Sequence, residues 1–228
     1  AEVDVFSFSL DGATPATNDR IRGKGSYEVC INGIRRARAK GFRISLIFTV
    51  SRANLEELPV MGPLLAELDV ERFFIQVLGL RGRAARSGGL DSLGALRVSP
   101  EDWLERVPAA AEAIARQGVR VIYPKVFLGS EEKFECAGLV ADNYFVFPNG
   151  RVYRCPLCED YPVHSLEFQG DRLLEAPRLN ESDFFRLTIA EGCVMDALVQ
   201  PDHLAGDAGE ASEYRIACCL LKEEIPPH

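Results

Sequence analysis

The sequence lacks the features of a membrane or secreted protein. No apolar run approaches the roughly 18 residues that a membrane-spanning helix needs. The first residues, AEVDVFSFSLDG, lack the basic segment, the apolar stretch and the cleavage site of a signal peptide. Positive charge is also scarce, since 26 lysines and arginines face 34 aspartates and glutamates, giving a net charge of −8. An acidic surface repels phosphate backbones, so we expect no nucleic-acid partner, no membrane contact and a cytoplasmic location.

Residue types that bind soft metals are scarce in the first half of the chain. The 228 residues include only three histidines, and Cys30 is the only cysteine before residue 136. Cys30 lies on the apolar side of a predicted helix, so we expect a buried free thiol. The other six cysteines are Cys136, Cys155, Cys158, Cys193, Cys218 and Cys219. An odd total without a secretion signal argues against a disulfide framework, and the clustering favours a metal site.

Buried strands alternate with helices in the first part of the chain. Apolar runs at 2–10, 42–50 and 70–80 predict strands that are buried on both faces. Helix-like apolar spacing occurs at 25–41 and 54–68, with Pro59 near the start or at a break of the second helix. This alternation with short links predicts an α/β fold with a parallel sheet and helical crossovers.

The composition changes at about residue 130. Ser99 and Pro100 predict the start of a helix that runs to Gln117, and a fourth strand follows at 118–126. Short strands, turns and cysteines then replace the alternating pattern. We therefore predict two domains, residues 1–130 and residues 131–228.

The segment CAGLVADNYFVFPNGRVYRCPLC, residues 136–158, predicts a β-hairpin between cysteines. Asn149-Gly150 suits a two-residue turn because both residue types tolerate positive φ. The turn would return Cys155 towards Cys136, and Cys158 follows with the C-x2-C spacing that directs two thiolates to one ion. Cys193 and one member of the adjacent pair Cys218-Cys219 could complete a four-thiolate site. Zinc and an iron–sulfur cluster both accept such a site, and buried free thiols are the structural alternative.

Four segments, in this order, resemble radical SAM enzymes that carry a SPASM or twitch extension. FSFSLDGATPATNDRIRGKGSYE resembles the Ser-Leu-Asp-Gly strand end and the His-Asp-x-x-Arg segment of the family, with Asn18 in place of the usual histidine. FTVSRANLEEL at 48–58 resembles the Thr-Val-x-x-x-Asn turn, and GLRGRA at 79–84 resembles the Gly-Arg-Ala segment. In the extension, thirteen residues separate Cys136 from Gly150, and four separate Gly150 from Cys155, as the family pattern requires.

The resemblance implies the second half of a partial (β/α)6 TIM-like barrel, followed by a small cysteine-rich β-hairpin extension. Strands 2–10, 42–50 and 70–80 would be the fourth, fifth and sixth barrel strands. The chain begins in mid-strand, and we expect a preceding half of the natural protein.

The resemblance also implies a site for S-adenosylmethionine at the carboxyl ends of these strands. It assigns this role to Ser9, Asp11, Arg22, Gln76 and Leu78. Ser9 and Asp11 would face the ribose and the carboxylate of the ligand, Arg22 the carboxylate, and Gln76 and Leu78 the adenine. The structural alternatives are a strand-closing turn, a solvated arginine and barrel lining.

For the extension, the resemblance implies one auxiliary [4Fe-4S] cluster. The preferred ligands are Cys136, Cys155, Cys193 and one of the final pair, with Cys219 preferred over Cys218, and Cys158 competes for the same role. Pro156 stands where we expect an acidic base in the sulfatase-maturing branch, which argues against formylglycine chemistry.

The departures from the family pattern are substantial. The C-x3-C-x2-C loop that holds the catalytic [4Fe-4S] cluster does not occur in the sequence, nor does the Gly-Gly-Glu segment. We therefore expect that this chain alone does not cleave S-adenosylmethionine, whereas a longer parent protein would abstract hydrogen from a peptide or small-molecule substrate. Such an enzyme needs a reducing electron donor such as flavodoxin or ferredoxin. The rival hypothesis is a non-catalytic four-cysteine zinc or iron–sulfur module for binding or electron transfer.

Overall fold

A computed structural model describes residues 3–79, 96–129, 131–137, 144–155, 166–175, 199 and 214–228. These residues form two compact units. The first contains residues 3–78, 96–124 and 222–228, and the second contains the remaining described residues. The last strand thus belongs to the first unit, and the division at residue 130 stays a prediction.

Helices separate the parallel strands of the first unit, whereas the described part of the second unit contains short strands. The helices are α1 (Pro15–Arg22), α2 (Ser26–Ala39), α3 (Met61–Glu67) and α4 (Pro100–Ala115), with a 3-10 turn at Leu55–Glu57. The strands are β1 (Val5–Ser9), β2 (Arg43–Val50), β3 (Arg72–Val77), β4 (Arg120–Pro124), β5 (Phe127–Leu128), β6 (Phe145–Val146), β7 (Arg151–Tyr153), β8 (Leu166–Gln169), β9 (Arg172–Glu175), β10 (Arg215–Ile216) and β11 (Lys222–Ile225).

The first unit is built on a five-stranded sheet with the order β1-β2-β3-β4-β11. The first four strands are parallel, and β11 is antiparallel to β4. The predicted α/β class with a parallel sheet is therefore confirmed. The register places Ser9 opposite Ile47 and Thr49 opposite Gln76, so the carboxyl ends of β1, β2 and β3 meet at one edge.

One face of this sheet is covered by helices. Alternate residues of β2 and β3, including Leu46, Phe48 and Phe73, are fully buried, as is Trp103 of α4. The opposite face is more open, and Gln76 is exposed on it. The prediction that β1 is buried on both faces is wrong for the described structure. This strand lies at the sheet edge, and Phe6 remains 39% exposed.

Local signals set the helix boundaries. Ser99 caps α4 by accepting a hydrogen bond from the amide of Asp102 at 3.1 Å, as its position before Pro100 predicts. The single helix predicted at 54–68 is instead a 3-10 turn followed by α3, because Pro59 has no amide hydrogen to continue the helical hydrogen bonds.

The described residues of the second unit form two antiparallel sheets. One pairs β5 with β10, and the other has the order β6-β7-β8-β9. A turn at this position joins β6 to β7, where the amide of Gly150 donates to the carbonyl of Phe147 and the amide of Phe147 to the carbonyl of Arg151, both at 3.0 Å. The predicted two-residue turn is wrong, because Gly150 has positive φ but Asn149 does not, and Pro148 also belongs to the loop. Gly150 has φ of 84°, which a glycine adopts without strain. Among the helices that the structure describes, none has the length and apolar character to cross a membrane.

Candidate functional site

The carboxyl ends of β1 and β2 are joined by the carboxylate of Asp11. Its Oδ1 accepts a hydrogen bond from the amide of Thr49 at 2.8 Å, and its Oδ2 accepts one from Nε of Arg22 at 2.6 Å. The amide of Asp11 donates to Oδ1 of Asn18 at 2.9 Å. Asp11 is only 4% exposed. Its side chain therefore connects two strands and holds an arginine at the carboxyl ends of the strands.

Asn54 makes a second connection between the same two strands. Its Nδ2 donates to the carbonyls of Asp11 and Thr49 at 3.0 and 2.9 Å, and its Oδ1 accepts from the amide of Ser51 at 2.7 Å. The side chain is buried. The Thr-Val-x-x-x-Asn segment thus places an amide group where it closes the turn after β2 and fixes the end of β1.

Asn18 and Asp19 attach α1 to α2. The buried Asn18 donates from Nδ2 to the hydroxyl of Ser26 at 2.9 Å, in addition to accepting from Asp11. The carboxylate of Asp19 accepts from the amides of Gly25 and Tyr27 at 2.6 and 2.9 Å. The bonds from Tyr27 and Gly25 hold the pKa of Asp19 below its usual value. The helix that carries Arg22 is therefore anchored at its carboxyl end.

Arg22 is held with part of its hydrogen-bonding capacity still available. The structure gives it one ion pair, from Nε to Asp11, and leaves its side chain 33% exposed. A guanidinium fixed through Nε keeps the two Nη groups as donors, which is the geometry that binds a carboxylate in a bidentate manner. This arrangement can bind an anionic group of a ligand.

The remaining predicted ligand residues lie near the same edge. The half-buried Ser9 ends β1, the exposed Gln76 lies near the end of β3, and the half-buried Leu78 follows that strand. The register places Ser9 and Gln76 on the same face as Thr49, a residue that the sequence motifs did not assign to the site. Thr49 would have been found by following the alternation of β2 from Ile47.

Cys30 is half-buried rather than buried, and its Sγ donates to the carbonyl of Ser9 at 3.5 Å. Burial raises the pKa of the Cys30 thiol. This environment favours the protonated, unreactive form, in agreement with the predicted free thiol.

In the second unit, Cys136 and Cys218 lie together. The thiol of Cys136 donates a hydrogen bond to the sulfur of Cys218, and the amide of Ala137 donates to the same sulfur at 3.3 Å. The Cys136 bond is the largest cause that lowers the pKa of Cys218 to about 6, against the opposing effect of burial.

This set of donors fits a metal-binding thiolate. An amide and a thiol that donate to one sulfur stabilise negative charge on it, as metal and cluster ligands require. Cys155 directly follows the β6–β7 hairpin and is half-buried, as is Cys219. Within the described ranges, no three histidine, cysteine or acidic side chains form a metal-binding group. Cys158 and Cys193 lie outside the described residues.

Comparisons with known proteins identify relatives of the chain. A PqqA peptide cyclase from Gluconobacter oxydans is 32% identical over 165 residues, which are 71% of this chain and 44% of that protein. A pre-heme d1 synthase from Dinoroseobacter shibae is 33% identical over 90 residues, 39% of this chain and 22% of that protein. A mycofactocin maturase from Mycobacterium tuberculosis is 25% identical over 189 residues, 75% of this chain and 42% of that protein. No protein-family model matches the chain.

These relatives belong to one class of protein. The chain is homologous to radical SAM maturases of the SPASM type, which confirms the family resemblance. The chain spans less than half the length of each of the three relatives.

Proposed function

We propose that this chain is the C-terminal portion of a radical SAM oxidoreductase or maturase that modifies a peptide or small organic substrate by hydrogen abstraction. The observation that carries the proposal is the arrangement of side chains at the carboxyl ends of β1 and β2. The family motif residues Asp11, Arg22 and Asn54 meet there in one hydrogen-bonded network. In α/β folds, this end of a parallel sheet is where ligands bind.

In this proposal, the first unit supplies the later strands of a partial (β/α)6 barrel and binds S-adenosylmethionine. Arg22 binds the ligand carboxylate through its Nη groups, while Asp11 holds Nε. Ser9, Gln76 and Leu78 border the same site from the ends of β1 and β3. The catalytic [4Fe-4S] cluster, which the longer protein would hold, supplies the electron that makes radical chemistry possible. A flavodoxin or ferredoxin is the proposed reductant.

In the second unit, we propose an auxiliary [4Fe-4S] site. Cys136 and Cys218 are its best supported ligands because they are in contact and the Ala137 amide bonds to the Cys218 sulfur. Cys155, Cys158, Cys193 and Cys219 are the candidates for the remaining positions. A peptide substrate is supported by the name of the PqqA peptide cyclase, and the name of the pre-heme d1 synthase supports a small organic substrate.

The competing function is a non-catalytic zinc or iron–sulfur module. It is favoured by the lack of a C-x3-C-x2-C loop in these 228 residues.

The metal content of the purified protein distinguishes zinc from an iron–sulfur cluster. Protein purified without oxygen should be brown and contain iron and acid-labile sulfide, whereas colourless protein with stoichiometric zinc contradicts the cluster. Cys218→Ala should lower the iron content strongly, and Cys30→Ala, the control, should leave it unchanged. Equal iron content in both variants would refute the ligand assignment.

A further inference from the structure

The carboxylate of Glu57 contacts the segment that follows β1 through four hydrogen bonds. Its Oε2 accepts from the amides of Ala13 and Thr14 at 2.6 and 3.3 Å. Its Oε1 accepts from the hydroxyl of Thr14 at 3.2 Å and from the hydroxyl of Thr17. Glu57 ends the 3-10 turn after β2, about forty residues away in sequence. One side chain thus ties the start of α1 to the turn after β2.

The position of Glu57 suits the chemistry of a helix start. The first amide groups of a helix lack intrahelical acceptors and carry a partial positive charge, so a carboxylate beside them is favourable. Thr14 is the N-cap of α1 and accepts from the amide of Thr17 at 3.4 Å. Glu57 binds this cap from outside the helix.

Helix α1 connects the Glu57 contacts to Arg22. The helix has eight residues, with Thr14 before its first residue and Arg22 as its last. A helix of this length is a rigid rod of about 12 Å, at 1.5 Å per residue. Because Asn18 and Asp19 anchor the helix to α2, a tilt at the Thr14 end pivots the helix about this anchor and moves the guanidinium beyond it, which Asp11 contacts only through Nε.

The preceding residue provides a contrast. Glu56 has the same side chain, but that side chain is 81% exposed and pairs with Arg106 at 2.7 Å. It makes none of the contacts to residues 13–17. Truncating Glu56 removes one surface ion pair, while truncating Glu57 removes four hydrogen bonds to the segment that leads to Arg22.

We propose that Glu57 is a positioning residue that sets α1, and through it the Arg22 guanidinium, for binding the carboxylate of the ligand. The inference rests on the proposed function, since it takes S-adenosylmethionine as that ligand. It predicts which part of the ligand needs Glu57 for tight binding. Affinity for the amino-acid portion should fall when Glu57 is truncated, and affinity for the nucleoside portion should not.

The test compares two ligands and two matched variants of the 228-residue chain. Calorimetric titration measures the affinity for S-adenosylmethionine and for 5′-methylthioadenosine, which has the nucleoside and the thioether but no carboxylate. We expect Glu57→Ala to lower the affinity for S-adenosylmethionine about tenfold, or ~1.4 kcal/mol. The affinity for 5′-methylthioadenosine should change by less than about twofold. Glu56→Ala should leave both affinities unchanged.

A conservative variant tests the mechanism. Glu57→Gln should recover most of the affinity, because its amide oxygen accepts from the backbone amides while its amide nitrogen donates to the threonine hydroxyls. If Glu57→Ala unfolds, Thr17→Val serves as a second variant, because it removes one donor to Oε1 of Glu57. It should lower the affinity for S-adenosylmethionine by less than about tenfold and leave the affinity for 5′-methylthioadenosine unchanged. Equal loss for both ligands, or a loss no larger than in Glu56→Ala, would overturn the inference.

Failure of the proposed function gives a different result. In that case, the unmodified chain binds neither ligand. Hydrogen exchange then decides the role of Glu57. The amides of residues 13–22 should exchange faster in Glu57→Ala than in Glu56→Ala if Glu57 holds α1. Identical exchange in the two variants would remove the structural basis of the inference.

Discussion

Asn54→Ala should destabilise the first unit more than any surface substitution. The side chain is 1% exposed and bonds to the amide and hydroxyl of Ser51 and to the carbonyls of Asp11 and Thr49. Alanine leaves one backbone amide and two backbone carbonyls without this partner. A lost hydrogen bond costs about 1 kcal/mol net, and a group left buried without a partner costs more. We therefore expect a loss of about 3 kcal/mol in the free energy of unfolding.

The fluorescence of one tryptophan can be used to follow the unfolding of the first unit. Trp103 is the only tryptophan in the sequence, and it is buried on α4 of the first unit. Its fluorescence in a urea titration therefore follows the unfolding of the unit that contains Asn54. In a thermal experiment, a loss of about 3 kcal/mol should lower the midpoint by about 6–12 °C for a chain of this size.

The control is the same substitution at an exposed position. Asn32 is exposed on α2, and alanine is favourable in a helix, so Asn32→Ala should change the stability by less than about 0.5 kcal/mol. If Asn54→Ala and Asn32→Ala unfold at the same urea concentration, the network does not join β1 to β2 through Asn54.

Two further predictions concern other parts of the fold. The pKa of Asp19 is below its usual value because the Tyr27 and Gly25 amides bond to it, so its carboxylate stabilises the folded state above the unfolded-state pKa of about 4. That contribution is lost as the pH falls through the lower folded-state pKa. The unmodified chain and Asp19→Asn should therefore differ less in their unfolding midpoint, followed by Trp103 fluorescence, as the pH is lowered. A difference that stays constant with pH would contradict this role of Asp19. Gly150→Ala should speed limited proteolysis of the second unit more than Gly170→Ala. Both glycines have positive φ, but an added Cβ meets the carbonyl of Phe168 at 3.0 Å only at position 150, and equal proteolysis rates would contradict this contact.

Features set by local sequence could be predicted. The apolar runs that became β2 and β3 identified the parallel sheet, because residues buried in such a sheet are apolar along much of the strand. Ser99-Pro100 and Asn149-Gly150 marked a helix start and a turn, since their backbone preferences act over a few residues. These signals do not depend on the rest of the chain.

Features set by distant contacts could not be predicted. Helix α1 has no apolar stripe, and its first turn is held by the carboxylate of Glu57, about forty residues away in sequence. Strand β11 has the charged sequence Lys-Glu-Glu-Ile, which lacks a strand pattern, and it forms by pairing with the edge of β4. The ion pair between Arg120 and Glu224 supports that register. In both cases, the information lies in residues far apart in sequence.

The pair Cys218-Cys219 illustrates the same limit at the candidate metal site. The family resemblance preferred Cys219 over Cys218 as the ligand, although the spacing allows either residue. The structure places Cys218 inside the unit, 6% exposed, with the Ala137 amide and the Cys136 thiol directed at its sulfur. A metal-binding thiolate needs such donors, since they stabilise its charge and fix its orientation. This environment supports Cys218 as the proposed ligand, and burial at the end of β10, rather than position in a motif, is the property that distinguishes it.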